Sequence, residues 1–250
     1  MNNIKAIFIK QFTQHLKVPS IIIQGFMFLV IAAAFIFFFP DNRTDQDCDS
    51  CIPAYVCATC EEEEANRFQL TLPSQAGMFA IIFIGLALVG STSAIVLEDK
   101  TTTNLRFMAM ADVKPYQYLI GIVTSTIIVV AVMLIFYALL DEHFRENMVK
   151  FMSIGIFGGL VSILFGMVIG LSKMPVLATP ISIILGLGPT FGAANETFAN
   201  VIRFTFIQQV SLAFTDLSED LTSNFLIIGA NGIVILLIFI FMHRKNKFNV

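Results

Sequence analysis

Tryptophan is absent from this chain, histidine occurs three times, and charge is scarce at 13% of 250 residues. A soluble domain carries roughly twice that charged share. Without Trp, an aromatic belt at a membrane surface would have to draw on the four Tyr and some of the 26 Phe. No Gly-rich phosphate loop ending in Lys-Ser or Lys-Thr occurs, so any ATP hydrolysis belongs to another polypeptide. No metalloprotease-type His pair, Ser-His-Asp arrangement or paired carboxylates stand where catalysis would use them, so the chain reads as a non-enzyme. His15 and His143 read as interfacial. The net charge of −3 gives no reason to expect a nucleic acid partner.

What is present is apolar: 56% of residues are hydrophobic, and the mean hydropathy is +0.81. Six stretches are long enough to cross about 30 Å of hydrocarbon as helices. They are Pro19–Phe39, Ala76–Leu97, Tyr118–Leu140, Phe151–Leu171, Val176–Ala194 and Phe225–Met242. The fold class is therefore an all-α membrane protein of about six spans, a single domain over residues 1–250. Ahead of the first span, Ile4, Ile7, Phe8 and Phe12 recur at helical spacing while Lys5, Lys10, Gln14 and Lys17 lie elsewhere on the wheel. This predicts an amphipathic helix in the membrane interface. The fifth stretch carries Pro180, Gly186, Gly188, Pro189 and Gly192, predicting a kink or break near its outer end. The short link at Lys173–Pro175 predicts that the fourth and fifth spans form an antiparallel hairpin. The segment Thr197–Phe214 is too polar to span and too apolar for an exposed loop, which predicts a re-entrant or interfacial helical pair with Glu196, Phe198, Arg203, Gln208 and Gln209 at an exit gate.

Charge orients the bundle. With the N-terminus in the cytoplasm, Lys5, Lys10, Lys17, Lys100, Arg106, Lys114, Lys173, Arg244, Lys245 and Lys247 face inward. The outside then holds five basic residues and 15 of the 18 acids. Both termini are expected in the cytoplasm. The polar residues at membrane depth, Gln24, Ser91, Thr92, Ser93, Thr124, Ser125, Thr126 and Asn231, read as interhelical hydrogen bonding at small-residue contacts rather than as substrate contacts.

Loop 40–75 is expected to be extracellular; it is acidic and holds all four cysteines, Cys48, Cys51, Cys57 and Cys60. Outside the cytoplasm thiols oxidise, so two disulfides are the preferred state. Cys48–Cys60 with Cys51–Cys57 makes the easiest nested hairpin. A four-thiolate zinc site is the lesser alternative, and free thiols the remaining one. Glu61–Glu64 follow directly and read as a solvated acidic stretch.

The segment after the second span reads Glu98-Asp99-Lys100-Thr101-Thr102-Thr103-Asn104-Leu105-Arg106-Phe107-Met108, and Pro115 and Gly121 open the third span. This pattern resembles the type-2 class of ABC-transporter permeases, with Glu98, Thr102 or Thr103, Leu105, Pro115 and Gly121 in the places of that family's motif. The order of elements agrees, including the basic ending from His243 to Phe248. Asp99 departs from it, since many relatives have a basic or neutral residue there. The resemblance implies a bacterial plasma-membrane permease subunit of an ATP-driven exporter. It would work with a second permease copy, identical or closely related. A separate ATPase subunit, carrying ATP and Mg, would dock on a coupling helix built from Glu98, Asp99, Thr102, Thr103, Leu105, Arg106 and Met108. It further implies hydrophobic or amphipathic cargo, such as a toxic peptide, a bacteriocin or a lipophilic antibiotic, as in phenol-soluble modulin exporters. The alternative class is a carrier not coupled to ATP, or an immunity or sensor protein. A carrier would need charges at the membrane midplane, and the spans hold almost none.

Overall fold

The structure is a computed structural model that describes residues 2–17, 20–38, 74–102, 113–172, 174–194, 202–217 and 221–248. All regular structure among the described residues is helical. Helix α1 runs Asn2–Lys17 and α2 runs Ser20–Phe38. Helix α3 covers Gln75–Thr101, with a π-helical turn at Phe83–Ala87. Pro115–Leu140 is α4, Glu142–Glu146 is α5 and Met148–Leu171 is α6. After a 3-10 turn at Pro175–Leu177 come α7, Ala178–Ala194, then α8, Phe206–Thr215, and α9, Thr222–Phe248.

Local chemistry sets the starts. Ser74 caps α3 by accepting from the Gly77 N–H at 3.2 Å. Pro115 opens α4 where its missing N–H costs nothing, and the Lys114 N–H donates to the Gln117 side-chain oxygen at 3.0 Å. Asp141 caps α5 through His143, and Thr205 caps α8 through Gln208.

Five helices, α2, α3, α4, α6 and α9, are long and apolar enough to cross a membrane. Where the fifth of the six spans was expected, α7 has 17 residues, about 26 Å at 1.5 Å per residue, somewhat short of the hydrocarbon thickness. Of the kink or break expected there, a break is not seen: α7 stays helical through Pro189 to Ala194. Nor is α7 a simple hairpin partner of α6. It packs chiefly on the π turn of α3, where a Cβ added to Gly85 would lie 2.7 Å from the Gly186 Cα.

Two helices are central and the rest surround them. The spans of α3 and α6 are 78% and 72% buried, against 17% for both α2 and α9. Ile23, Val30, Leu226, Ile233 and Leu237 are exposed apolar residues on those outer helices, a surface suited to lipid. Lipid is as apolar as these side chains, so close backbone packing has to hold the centre together. Glycine provides it. A Cβ on Gly166 would sit 2.7 Å from the Val89 carbonyl oxygen, and one on Gly170 would sit 2.7 Å from that of Ser93. Residues 166 and 170 advance along α6 as 89 and 93 advance along α3, so the two helices are parallel.

Candidate functional site

Two polar clusters mark opposite ends of this bundle. At the end where α1 sits, Asp99 occupies the last turn of α3 with its carboxylate 1% exposed. It accepts from Lys10 Nζ at 2.5 Å, Gln11 Nε2 at 3.1 Å and Tyr118 Oη at 3.0 Å. Lys10 and Gln11 come from α1, and Tyr118 from the first turns of α4. One carboxylate therefore ties three helices. An acid at a helix C-terminus opposes the macrodipole, so Asp99 depends on these partners.

Neighbouring residues of α3 lie about 100° apart on the helix, and here they diverge accordingly. Glu98 faces outward, and its carbonyl accepts from the Thr101 and Thr102 hydroxyls at 3.1 and 2.6 Å. Lys100 reaches the other way, donating to the carbonyls of Leu171 at 3.3 Å and Ser172 at 2.8 Å. It thus caps the C-terminus of α6, where a cation is favoured. The acidic pair of the sequence is therefore no pair in space: Asp99 is a buried lock, while Glu98 is a surface group.

Apolar packing surrounds the lock. Ile7 of α1 sits directly over Gly121 of α4, where any side chain would collide with it. Tyr118, Ile122, Val96, Met167, Leu171 and Phe239 complete the cluster, which joins α1, α3, α4, α6 and α9. The His243 ring of α9 lies 6.4 Å from that of Tyr118. Helix α1 is thus docked on the bundle by one face, with Lys5 and Ile9 exposed.

At the far end, Phe144, Phe151 and Phe214 join α5, α6 and α8, with rings 4.3 to 5.8 Å apart. Lys150 donates to the Leu217 carbonyl at 2.7 Å. The turn 202–205 precedes α8. Gln209 Nε2 donates to the Arg203 carbonyl at 2.6 Å, and Asn231 Nδ2 to the Phe204 carbonyl at 2.9 Å. Gln209 is buried and serves as a brace, while Arg203 points outward. Gln208 Oε1 is buried without a hydrogen-bond partner.

Thr102 is exposed at the end of α3. Thr103, Leu105, Arg106 and Met108, the four cysteines, Glu196 and Phe198 lie outside the described residues. Among the described residues no group of three or more His, Cys, Asp or Glu could hold a metal ion. Of the polar residues at depth, Ser93 and Ser125 bond carbonyls of their own helices, whereas Asn231 reaches another segment. The roles of Lys10, Gln11 and Tyr118 were not read from the sequence. The signal was there in a carboxylate at an apolar helix's C-terminus, which requires a donor nearby. Comparison with protein-family models, curated proteins and solved structures finds no match to this chain.

Proposed function

We propose that the chain is the membrane-spanning permease subunit of a bacterial ATP-driven exporter of the ABC type-2 class, moving hydrophobic or amphipathic cargo outward. The observation that carries this reading is the Asp99 junction. It stands at the root of segment 103–112, the stretch proposed to meet a separate ATPase subunit. Asp99 ties α3 to α1 and α4, and Lys100 ties α3 to α6. A push on that segment would reach four helices, because the Asp99 carboxylate, 1% exposed, holds its partners through charge-assisted hydrogen bonds worth about 1.5–3 kcal/mol each.

The orientation proposed, with both termini in the cytoplasm of a plasma-membrane protein, is supported by charge. Lys5, Lys10, Lys17, Lys100, Lys114, Arg244, Lys245 and Lys247 lie on or beside helix segments toward the α1 end, against Arg145, Lys150 and Arg203 away from it. In this reading α7 completes six crossings, α8 is the re-entrant element, and two copies form the pathway. The cysteine loop, stapled by disulfides, would cap the exit.

The test is co-purification in mild detergent followed by mass spectrometry and ATPase assay in vesicles. A bound ABC ATPase whose hydrolysis rises with an amphipathic peptide is the expected result. A chain recovered repeatedly without any ATPase, or a Leu105→Cys variant whose new thiol reacts with a membrane-impermeant maleimide from outside the cell, would overturn it.

A further inference from the structure

Helices α1 and α9, the first and last of the fold, meet at one corner of the bundle. Helix α1 docks by the face that carries Ile7 and Gln11, one turn apart and both buried. Ile7 sits over Gly121, and Gln11 reaches Asp99. The end of α9 arrives at the same place, where the His243 ring lies 6.4 Å from that of Tyr118.

This corner gathers basic residues from segments far apart in sequence. Lys5 is exposed on α1, and Lys114 is exposed where α4 begins. Lys17 ends α1, and Arg244, Lys245 and Lys247 fall in the last turns of α9. Among the described residues Glu98 is the one exposed acid at this end, and the Asp99 carboxylate is already held by Lys10. The local balance is positive.

The outward face of α1 is not simply polar. Ile9 lies about 200° around the helix from Ile7, and it is 51% exposed, one turn from Lys5. Phe8 and Phe12, half-buried, stack at 5.7 Å along its flank. Depth decides what this face meets. Gly121 lies six residues past Pro115, about 9 Å along α4, and the apolar span of that helix already begins at Tyr116. Ile7 is therefore packed alongside the span and not beyond its end. The opposite face of α1 looks out at the level where hydrocarbon gives way to headgroups.

We propose that the α1 end binds the headgroups of anionic phospholipids, with α1 lying in the membrane interface and the last turns of α9 adding to its charge. Basic residues supply attraction to an anionic leaflet, and Ile9 with the flanking Phe rings supplies the apolar anchor. An acidic soluble protein would need only the lysines and would leave Ile9 in water. The proposal does not depend on the export reading.

The chain has no Trp, so Ile9→Trp places a single indole on this face. The full chain is reconstituted in nanodiscs of equal parts phosphatidylcholine and phosphatidylglycerol, and each lipid in turn carries bromine on its acyl chains to quench a nearby indole. Brominated phosphatidylglycerol should quench with an apparent association about fivefold that of brominated phosphatidylcholine, the scale of one basic residue near an anionic surface. In 1 M salt, where the Debye length is about 3 Å, that preference should fall toward one. Lys5→Gln with Lys17→Gln should lower it part-way, as should Arg244→Gln with Lys245→Gln and Lys247→Gln. The two sets together should bring it near one, and Arg145→Gln at the far end should leave it unchanged. The proposal is overturned if the two brominated lipids quench alike at low salt, or if the combined charge variant keeps the preference. It is also overturned if the preference survives 1 M salt, a reading that needs no charge variant to fold. Quenching by neither lipid, with emission as in water, would overturn it too and mark a face turned to a soluble partner.

Discussion

The two ends of the bundle use the same chemical parts to different effect. Each has an ion pair: Lys10–Asp99 at the α1 end, Arg145–Glu142 at the far end. Each also has a lysine on backbone carbonyls: Lys100 on Leu171 and Ser172, Lys150 on Leu217. What differs is burial. Asp99 is 1% exposed and shared among three helices, whereas Glu142 is 78% exposed and bonded three residues along its own helix. Charge removed from water locks elements together, because an unpaired partner left behind is costly. Charge left in water barely contributes. The α1 end is joined through a buried carboxylate, whereas the far end's ion pair lies in water.

The largest effect expected is from Asp99→Ala. It leaves the 40% exposed Lys10 to water but strands the buried Gln11 amide and Tyr118 hydroxyl, and should lower stability by about 3–4 kcal/mol, at about 1–3 kcal/mol for each buried group left unsatisfied. The reading is the midpoint of chemical unfolding in mixed micelles, together with faster tryptic cleavage at Lys10. A loss below about 1 kcal/mol would make this end no more a lock than the other. The rod joining the two ends comes next. Gly166→Val drives a side chain against the Val89 carbonyl, which cannot rotate away, and should cost about 2–3 kcal/mol. Gly188→Ala has nothing within 4 Å of the added carbon and should be neutral or slightly stabilising. If the two behave alike, backbone contact between α3 and α6 is not what holds the centre.

Much of the fold could be read from hydropathy. A span is a sum over about twenty side chains, so single misplacements average out, and four of the expected stretches, around Pro19–Phe39, Ala76–Leu97, Tyr118–Leu140 and Phe151–Leu171, fall within or close to α2, α3, α4 and α6. The stretch Phe225–Met242 lies inside α9. Pairings were far less legible. That Gly85 meets Gly186, so that α7 leaves α6 for α3, depends on one π-helical turn that shifts the register of α3 and that no periodicity announces. The site divides in the same way. Glu98 and Asp99 could be seen as unusual acids at a span's end, but their separation follows from which helix lies on each side. Lys10 was assigned to the polar face of an interfacial helix, since a wheel shows polarity and not the carboxylate from 89 residues away.

The lysine caps provide a finer comparison. Lys100→Met removes donors to the Leu171 and Ser172 carbonyls at a helix C-terminus, and Lys150→Met removes the donor to the Leu217 carbonyl of a loop. Both should cost about 1 kcal/mol, with Lys100 the larger because the macrodipole adds to the hydrogen bonds. Denaturation midpoints of the two single variants and the double variant should add, since the sites stand at opposite ends. A coupling beyond about 0.5 kcal/mol would mean that α6 transmits strain from one end to the other.

The smallest effect expected is the most direct control. Glu142→Gln breaks the far-end ion pair at its exposed member, where water and salt already screen the charge, and should change stability by about 0.5 kcal/mol or less. The change should vanish in 1 M salt, where the Debye length shrinks to about 3 Å. Asp99→Ala should keep most of its effect under the same conditions, because salt does not enter a pocket closed by Gln11 and Tyr118. If salt erased both effects alike, burial would not separate the two ends, and Asp99 would lose its claim to transmit force from segment 103–112 into the bundle.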